Sequence, residues 1–259
     1  MGHLDHAAYG WLTPVLSYAM ACIGIALGLR CTVLALAAPT ARSRRNWLII
    51  AASAIGTGIW TMHFIAMLGF SVSGTEVRYD ISRTVLSLVA AMSVAGAGVF
   101  ALGHGSARVP ALLAAGLATG LGVVAMHVIG MSAVRLHGSI GYDLRGAALS
   151  ALLAVATATA ALWAALNVRS PLAMGVASLV IGAAVTSMHY TGMAAVSVTV
   201  TPSSEALAGA TATQFVFPLT VGLGSYLFLT SAFVALTPTA AERAATVSAQ
   251  RLTRAPGAV

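Results

Sequence analysis

A chain of 259 residues that is 59% hydrophobic and 7% charged, with a mean hydropathy of +0.92, cannot cover a water-facing surface. Soluble domains carry about 25% charged residues, so lipid must cover most of this one. The net charge of +7 comes from arginines scattered through short connections, with no lysine and no basic face, which excludes a nucleic-acid binder and fits the charge bias of membrane proteins.

In chain order, the opening "MGHLDH" carries His3 and His6. If Met1 is retained, its amine, two amides and His3 would suit square-planar Cu(II), although a flexible tail is the simpler expectation. No cleavable signal peptide is evident, because residues 1–10 hold no arginine and the first apolar run is too long. Seven apolar runs follow, at about 12–36, 47–70, 85–102, 110–134, 147–166, 172–198 and 215–236. Each is near or above the ~18–20 residues that cross ~30 Å of hydrocarbon. The breakers between them are Pro39, Gly103 to Gly105, Gly138 to Gly141, Pro171 and Pro202. Cys22 and Cys31, both in the first run, are half a turn out of phase and read as packing residues.

The sequence therefore predicts an all-α integral-membrane protein, a seven-transmembrane-helix bundle over 1–236 with a short cytoplasmic tail at 237–259 that is disordered or interfacial. With the N-terminus outside, eight arginines fall inside (42, 44, 45, 108, 169, 243, 251 and 254) and four outside (78, 83, 135 and 145). Arg30 lies near the inner end of the first run and can snorkel. The expected topology is N-out/C-in. A reporter fused at the C-terminus should read cytoplasmic and one in the 203–210 loop external; the reverse pair would overturn the orientation.

Three segments repeat on the even spans: "GTGIWTMHFIAM", "GLGVVAMHVIGM" and "GAAVTSMHYTGM". His63, His127 and His189 are 64 and 62 residues apart, so the repeating unit is a helix pair. Each histidine lies 16–18 residues past the inner start of its span, roughly 24–27 Å from the inner face at ~1.5 Å per residue. All three therefore share one level, in the outer third of the membrane. Met67, Met131 and Met193 follow by four on the same helical face, with Gly56, Gly120 and Gly182 seven before. The small residues look like a packing seam. Met62, Met126 and Met188 point about 100° away, as further ligands or as packing.

Imidazole and thioether without carboxylate or thiolate form a soft donor set. It argues against calcium, magnesium and manganese and favours copper, particularly Cu(I); haem is the second choice.

The literal M-H-Y-T at Met188 to Thr191, with two related steps on alternating spans, resembles the MHYT family of bacterial integral-membrane sensor domains. The resemblance covers about residues 9–236. It implies copper bound through the His and Met residues near the outer face, and a response to oxygen, carbon monoxide or nitric oxide. Family members often carry cyclic-di-GMP or DNA-binding output domains. With no such module in this sequence, a separate cytoplasmic partner is expected to receive the signal. The first two motifs, M-H-F-I and M-H-V-I, keep Met and His but lose the Tyr190 and Thr191 equivalents.

Other readings fare less well. Retinal needs a lysine. Proton-coupled transport normally needs acids within the spans. A hydrolase would need a Ser or carboxylate consistently beside the histidines, so no enzyme is expected. A copper permease remains the alternative, against which stands a single level of ligands where a ladder would be needed.

Overall fold

The structure, a computed structural model, describes residues 4–5, 9–104, 109–203 and 205–238. His3, His6 and most of the predicted tail, 239–259, lie outside the described residues. Among the described residues, seven helices are long and apolar enough to cross a membrane: α1 Leu12–Leu36, α2 Ala41–Leu68, α3 Ile81–His104, α4 Val109–Ser132, α5 Leu144–Asn167, α6 Pro171–Ala194 and α7 Phe217–Ala235. Their outward faces carry single apolar stripes, such as Leu113, Leu117 and Leu121 on α4, all about half exposed. In water such stripes would be a liability; in lipid they are the expected covering.

Caps explain most differences from the predicted spans. The second helix starts six residues before Trp47 because the Thr40 hydroxyl accepts the Ser43 amide and carries the helix through Arg42, Arg44 and Arg45. Asp143 and Ser170 cap α5 and α6 in the same way, accepting from Gly146 and Ala173. The sixth run was expected to stay helical to Val198, but α6 stops at Ala194 and the alternating Val196–Val200 forms a strand. A single π-helical turn, Ala212–Val216, precedes α7 behind a Thr211–Gln214 capping box.

Short strands complete each helix pair. They are β1 Leu4–Asp5, β2 Ser71–Val72, β3 Arg78–Tyr79, β4 Val134–Arg135, β5 Gly138–Tyr142 and β6 Val196–Val200. Antiparallel pairs form between β1 and β2, β3 and β4, and β5 and β6. Each repeat is thus strand–helix–helix–strand, with the strand before its first helix paired to the strand after its second.

The first six helices form a closed ring, each packed on the next and α6 returning to α1; α7 lies outside, against α1 and α2. The Ser53 hydroxyl meets the Tyr226 hydroxyl at 2.6 Å to fix α7. Arg30, expected to snorkel, instead caps α7 by donating to the Val234 and Thr237 carbonyls at 3.4 and 3.1 Å.

Outside the spans, Asp80 accepts the Arg83 amide at 3.0 Å, opening α3, and the Arg135 guanidinium of β4 at 2.8 Å. The Arg135 bond, then the Arg83 amide, hold the Asp80 carboxyl below the usual carboxylate range. A depressed folded pKa adds stability at neutral pH that is lost as pH falls through that pKa. Asp80→Asn should lower the thermal midpoint at pH 7, with the difference shrinking in acid. A difference that persists unchanged in acid would refute the linkage.

Candidate metal centre

His63, His127 and His189 each sit five residues before the last residue of α2, α4 and α6. The three helices therefore deliver them to one level, as the repeat spacing predicts. Alternate members of the ring turn the three side chains inward, and one ring nitrogen from each lies within 4.8 Å of one from each of the others. Ring centroids are 5.0, 4.9 and 5.3 Å apart, every pair edge-on. Exposure is 1% for His63 and His189 and 8% for His127. His63 Nδ1 and His189 Nδ1 lie 3.0 Å apart, so one donates and the other accepts. His63 Nε2 is buried without a hydrogen-bond partner.

Small residues make room for the rings. A Cβ added at Gly130, three residues after His127, would lie 2.7 Å from His63 Nε2. One added at Gly192, three after His189, would lie 3.2 Å from His127 Nε2 and 3.1 Å from Ser150 Oγ. Each of these glycines thus borders the histidine of another repeat.

Met67, Met131 and Met193 are buried one turn outward of the histidines, as expected from the four-residue spacing. Met62, Met126 and Met188 are equally buried, but Met126 and Met188 border apolar space on the inner side of the cluster. The residue after each histidine has no common environment. Phe64 is buried edge-on to His63 at 4.7 Å, Val128 is half exposed, and Tyr190 is partly buried beside His189. His137 lies away from the cluster, its amide donating to Thr75 Oγ1, and nothing is described of the His104 side chain.

The glycines seven before the histidines do not form one seam among the even helices. Added Cβ atoms would strike the next helix of the ring: Gly56 meets Met92 of α3, Gly120 meets Val155 of α5, and Gly182 meets Cys22 of α1. The two cysteines are unpaired, Cys31 being buried in the core near Leu27 and Leu34, in keeping with their reading as packing residues.

Sequence reasoning missed three buried serines, one on each odd helix of the ring, α1, α3 and α5: Ser17, Ser87 and Ser150. Ser87 Oγ accepts from Trp60 Nε1 at 2.9 Å, and Ser150 donates to the Met188 carbonyl at 2.9 Å. The available signal was a serine near the start of the first, third and fifth apolar runs.

The model of the bacterial signalling protein N-terminal repeat, MHYT, matches residues 56–115 and 120–178. The chain carries two MHYT signalling repeats. Both matched copies open on the glycine seven before a motif histidine, and the third motif, opening on Gly182, follows the second copy. The MHYT chain is 39% identical over 159 residues to the bifunctional diguanylate cyclase/cyclic di-GMP phosphodiesterase MucR of Pseudomonas aeruginosa, covering 60% of this chain and 23% of MucR. It is 37% identical over 158 residues to the cyclic di-GMP phosphodiesterase NbdA of the same organism, covering 58% and 20%. The signaling protein YkoW of Bacillus subtilis is 26% identical over 205 residues, covering 73% and 24%. The MHYT chain therefore spans about a quarter or less of these relatives. No solved structure matches it. It is a multi-pass membrane protein carrying a bacterial signalling domain.

Proposed function

We propose that this domain is a sensor of the cytoplasmic membrane that holds copper through His63, His127 and His189, aided by Met67, Met131 and Met193, and reports a diatomic gas or the redox state. The observation that carries the reading is the convergence of three imidazoles, without an acid beside them, in the buried centre of the ring. A buried ring nitrogen without a partner, such as His63 Nε2, is costly. A soft cation would give it one, and the donor set suits copper better than hard ions. When bound, copper supplies a soft centre able to take a small neutral ligand.

The chain's own residues do the rest. The His63–His189 contact orders two rings, Gly130 and Gly192 leave them room, and the buried methionines exclude water. Met126 and Met188 are assigned to packing on the inner side, and Met62 joins them by register. Ligand binding would act by favouring one packing of the ring over another, since a ligand moves an equilibrium only through differential affinity. By analogy with MucR and NbdA, the signal would pass to a cytoplasmic module of cyclic di-GMP metabolism.

The test is elemental analysis of the purified protein, with infrared spectra of its reduced, copper-loaded form under carbon monoxide. The expected result is stoichiometric copper and a C–O stretching band that the triple His→Ala chain lacks. Protein that takes up no copper would overturn the reading. Steady copper flux in proteoliposomes would replace it with a permease.

A further inference from the structure

The inner side of the cluster holds a cavity of about 60 Å³ on the ring axis. The motif helices line it at the same register: Ile59, Val123 and Val185 lie four residues before the three histidines, and Ile55, Thr119 and Ile181 eight before. Met188, one before His189, also borders it, and Met126 borders a smaller space that shares Ile55, Ile59, Thr119 and Val123. At ~100° per residue, positions one, four and eight before a histidine fall within an arc of about 60°. A single face of each motif helix thus serves the void.

We propose that this cavity is a binding chamber for one small apolar molecule of diatomic or xenon size. Its walls are almost wholly alkyl: of the three threonines that line it, the hydroxyl of Thr32 is spent on the Gly28 carbonyl at 2.8 Å, and Thr119 and Thr157 leave little polar surface on the wall. A water needs two to four polar partners, so a wall this apolar disfavours it, and apolar cavities stay dry. The volume exceeds the ~10–15 Å³ that admits one water but falls well below the ~150 Å³ of an engineered cavity that takes benzene. Size therefore selects molecules smaller than an aromatic ring, and polarity selects those that partition into lipid. The space is left by the small side chains of α5, among them Ala154, Ala158 and Ala161, where larger apolar residues would close it.

The chamber rests on geometry alone; only its service to the cluster, delivering a gas past Met188 to the histidines, rests on the sensor reading. The test is diffraction from xenon-pressurised crystals of the full chain without added metal. A xenon peak between Ile59, Val123 and Val185 is expected. Ala158→Leu should abolish it, and so should Ala95→Leu, which fills the chamber from α3; either variant that retains the wild-type fold suffices. No peak, a peak only in the outer groove lined by Leu12, Leu16 and Phe217, or a peak that survives both fillings would overturn the proposal. A chain that binds xenon but no copper would retain the chamber and lose the sensor reading; copper without xenon would do the opposite.

Discussion

Replacing any one of His63, His127 or His189 by alanine is expected to strip the protein of most of its copper, whereas His137→Ala should leave the content unchanged. The three rings converge, so each removal leaves two imidazole donors, and among the described residues no carboxylate or thiol joins the cluster to substitute. Losing an outer-shell partner of a metal ligand costs roughly 10–100-fold in affinity, and losing a ligand should cost at least that. Gly130→Ala is the subtler version. Its methyl would sit 2.7 Å from His63 Nε2, closer than carbon and nitrogen allow, so the ring must turn while the donor set stays intact. Copper affinity measured by competition titration should fall for Gly130→Ala, but less than for His63→Ala. Equal copper in the wild type and in all three alanine variants would remove the histidines from the site.

These residues were legible because the signals that identify them are local. Apolar run length gave seven spans, and equal distances from the span starts put the histidines at one level. The structure adds the convergence, which required alternate members of a closed ring to turn inward. Closure of α6 on α1 leaves no periodic trace, since it is a long-range contact between two similar apolar helices. Two-residue strands such as Ser71–Val72 are too short for alternation to register, whereas the overshoot of α6 to Val198 arose because the alternating Val196–Val200 continues an apolar run that no breaker interrupts. The motif glycines were assigned to the histidine face, and a helical wheel does place seven residues back only about 20° from the histidine. That small rotation is away from the chamber side, toward the neighbouring odd helix. A wheel gives direction but not what stands there. The serines were passed over because a lone serine in an apolar span satisfies itself on its own helix, as Ser17 does on the Thr13 carbonyl.

The same glycines support a graded stability series. Gly56→Ala and Gly120→Ala should be the most damaging, because the added methyl meets backbone. At Gly56 it would lie 2.6 Å from the Met92 Cα and 2.7 Å from its nitrogen, and at Gly120 it strikes the Val155 Cα closer still. Neither neighbour can rotate away, so the helices must part. Overpacking typically costs 1–3 kcal/mol, and a backbone collision belongs at or above the upper end. Gly182→Ala should cost less, since its nearest obstacle is Cys22 Sγ at 2.6 Å, which can turn aside, although the Cys22 amide nitrogen at 3.2 Å keeps the fit tight. Gly175→Ala and Gly222→Ala meet nothing within 4 Å and lie in helices α6 and α7. They should gain up to the ~0.8–1.0 kcal/mol by which alanine exceeds glycine in a helix. Thermal unfolding in one detergent, all five variants in parallel, gives the order directly. If Gly56→Ala and Gly120→Ala unfold no earlier than Gly175→Ala, α2–α3 and α4–α5 do not approach as closely as the ring requires. The histidines would then lack the scaffold that holds them at van der Waals distance from one another.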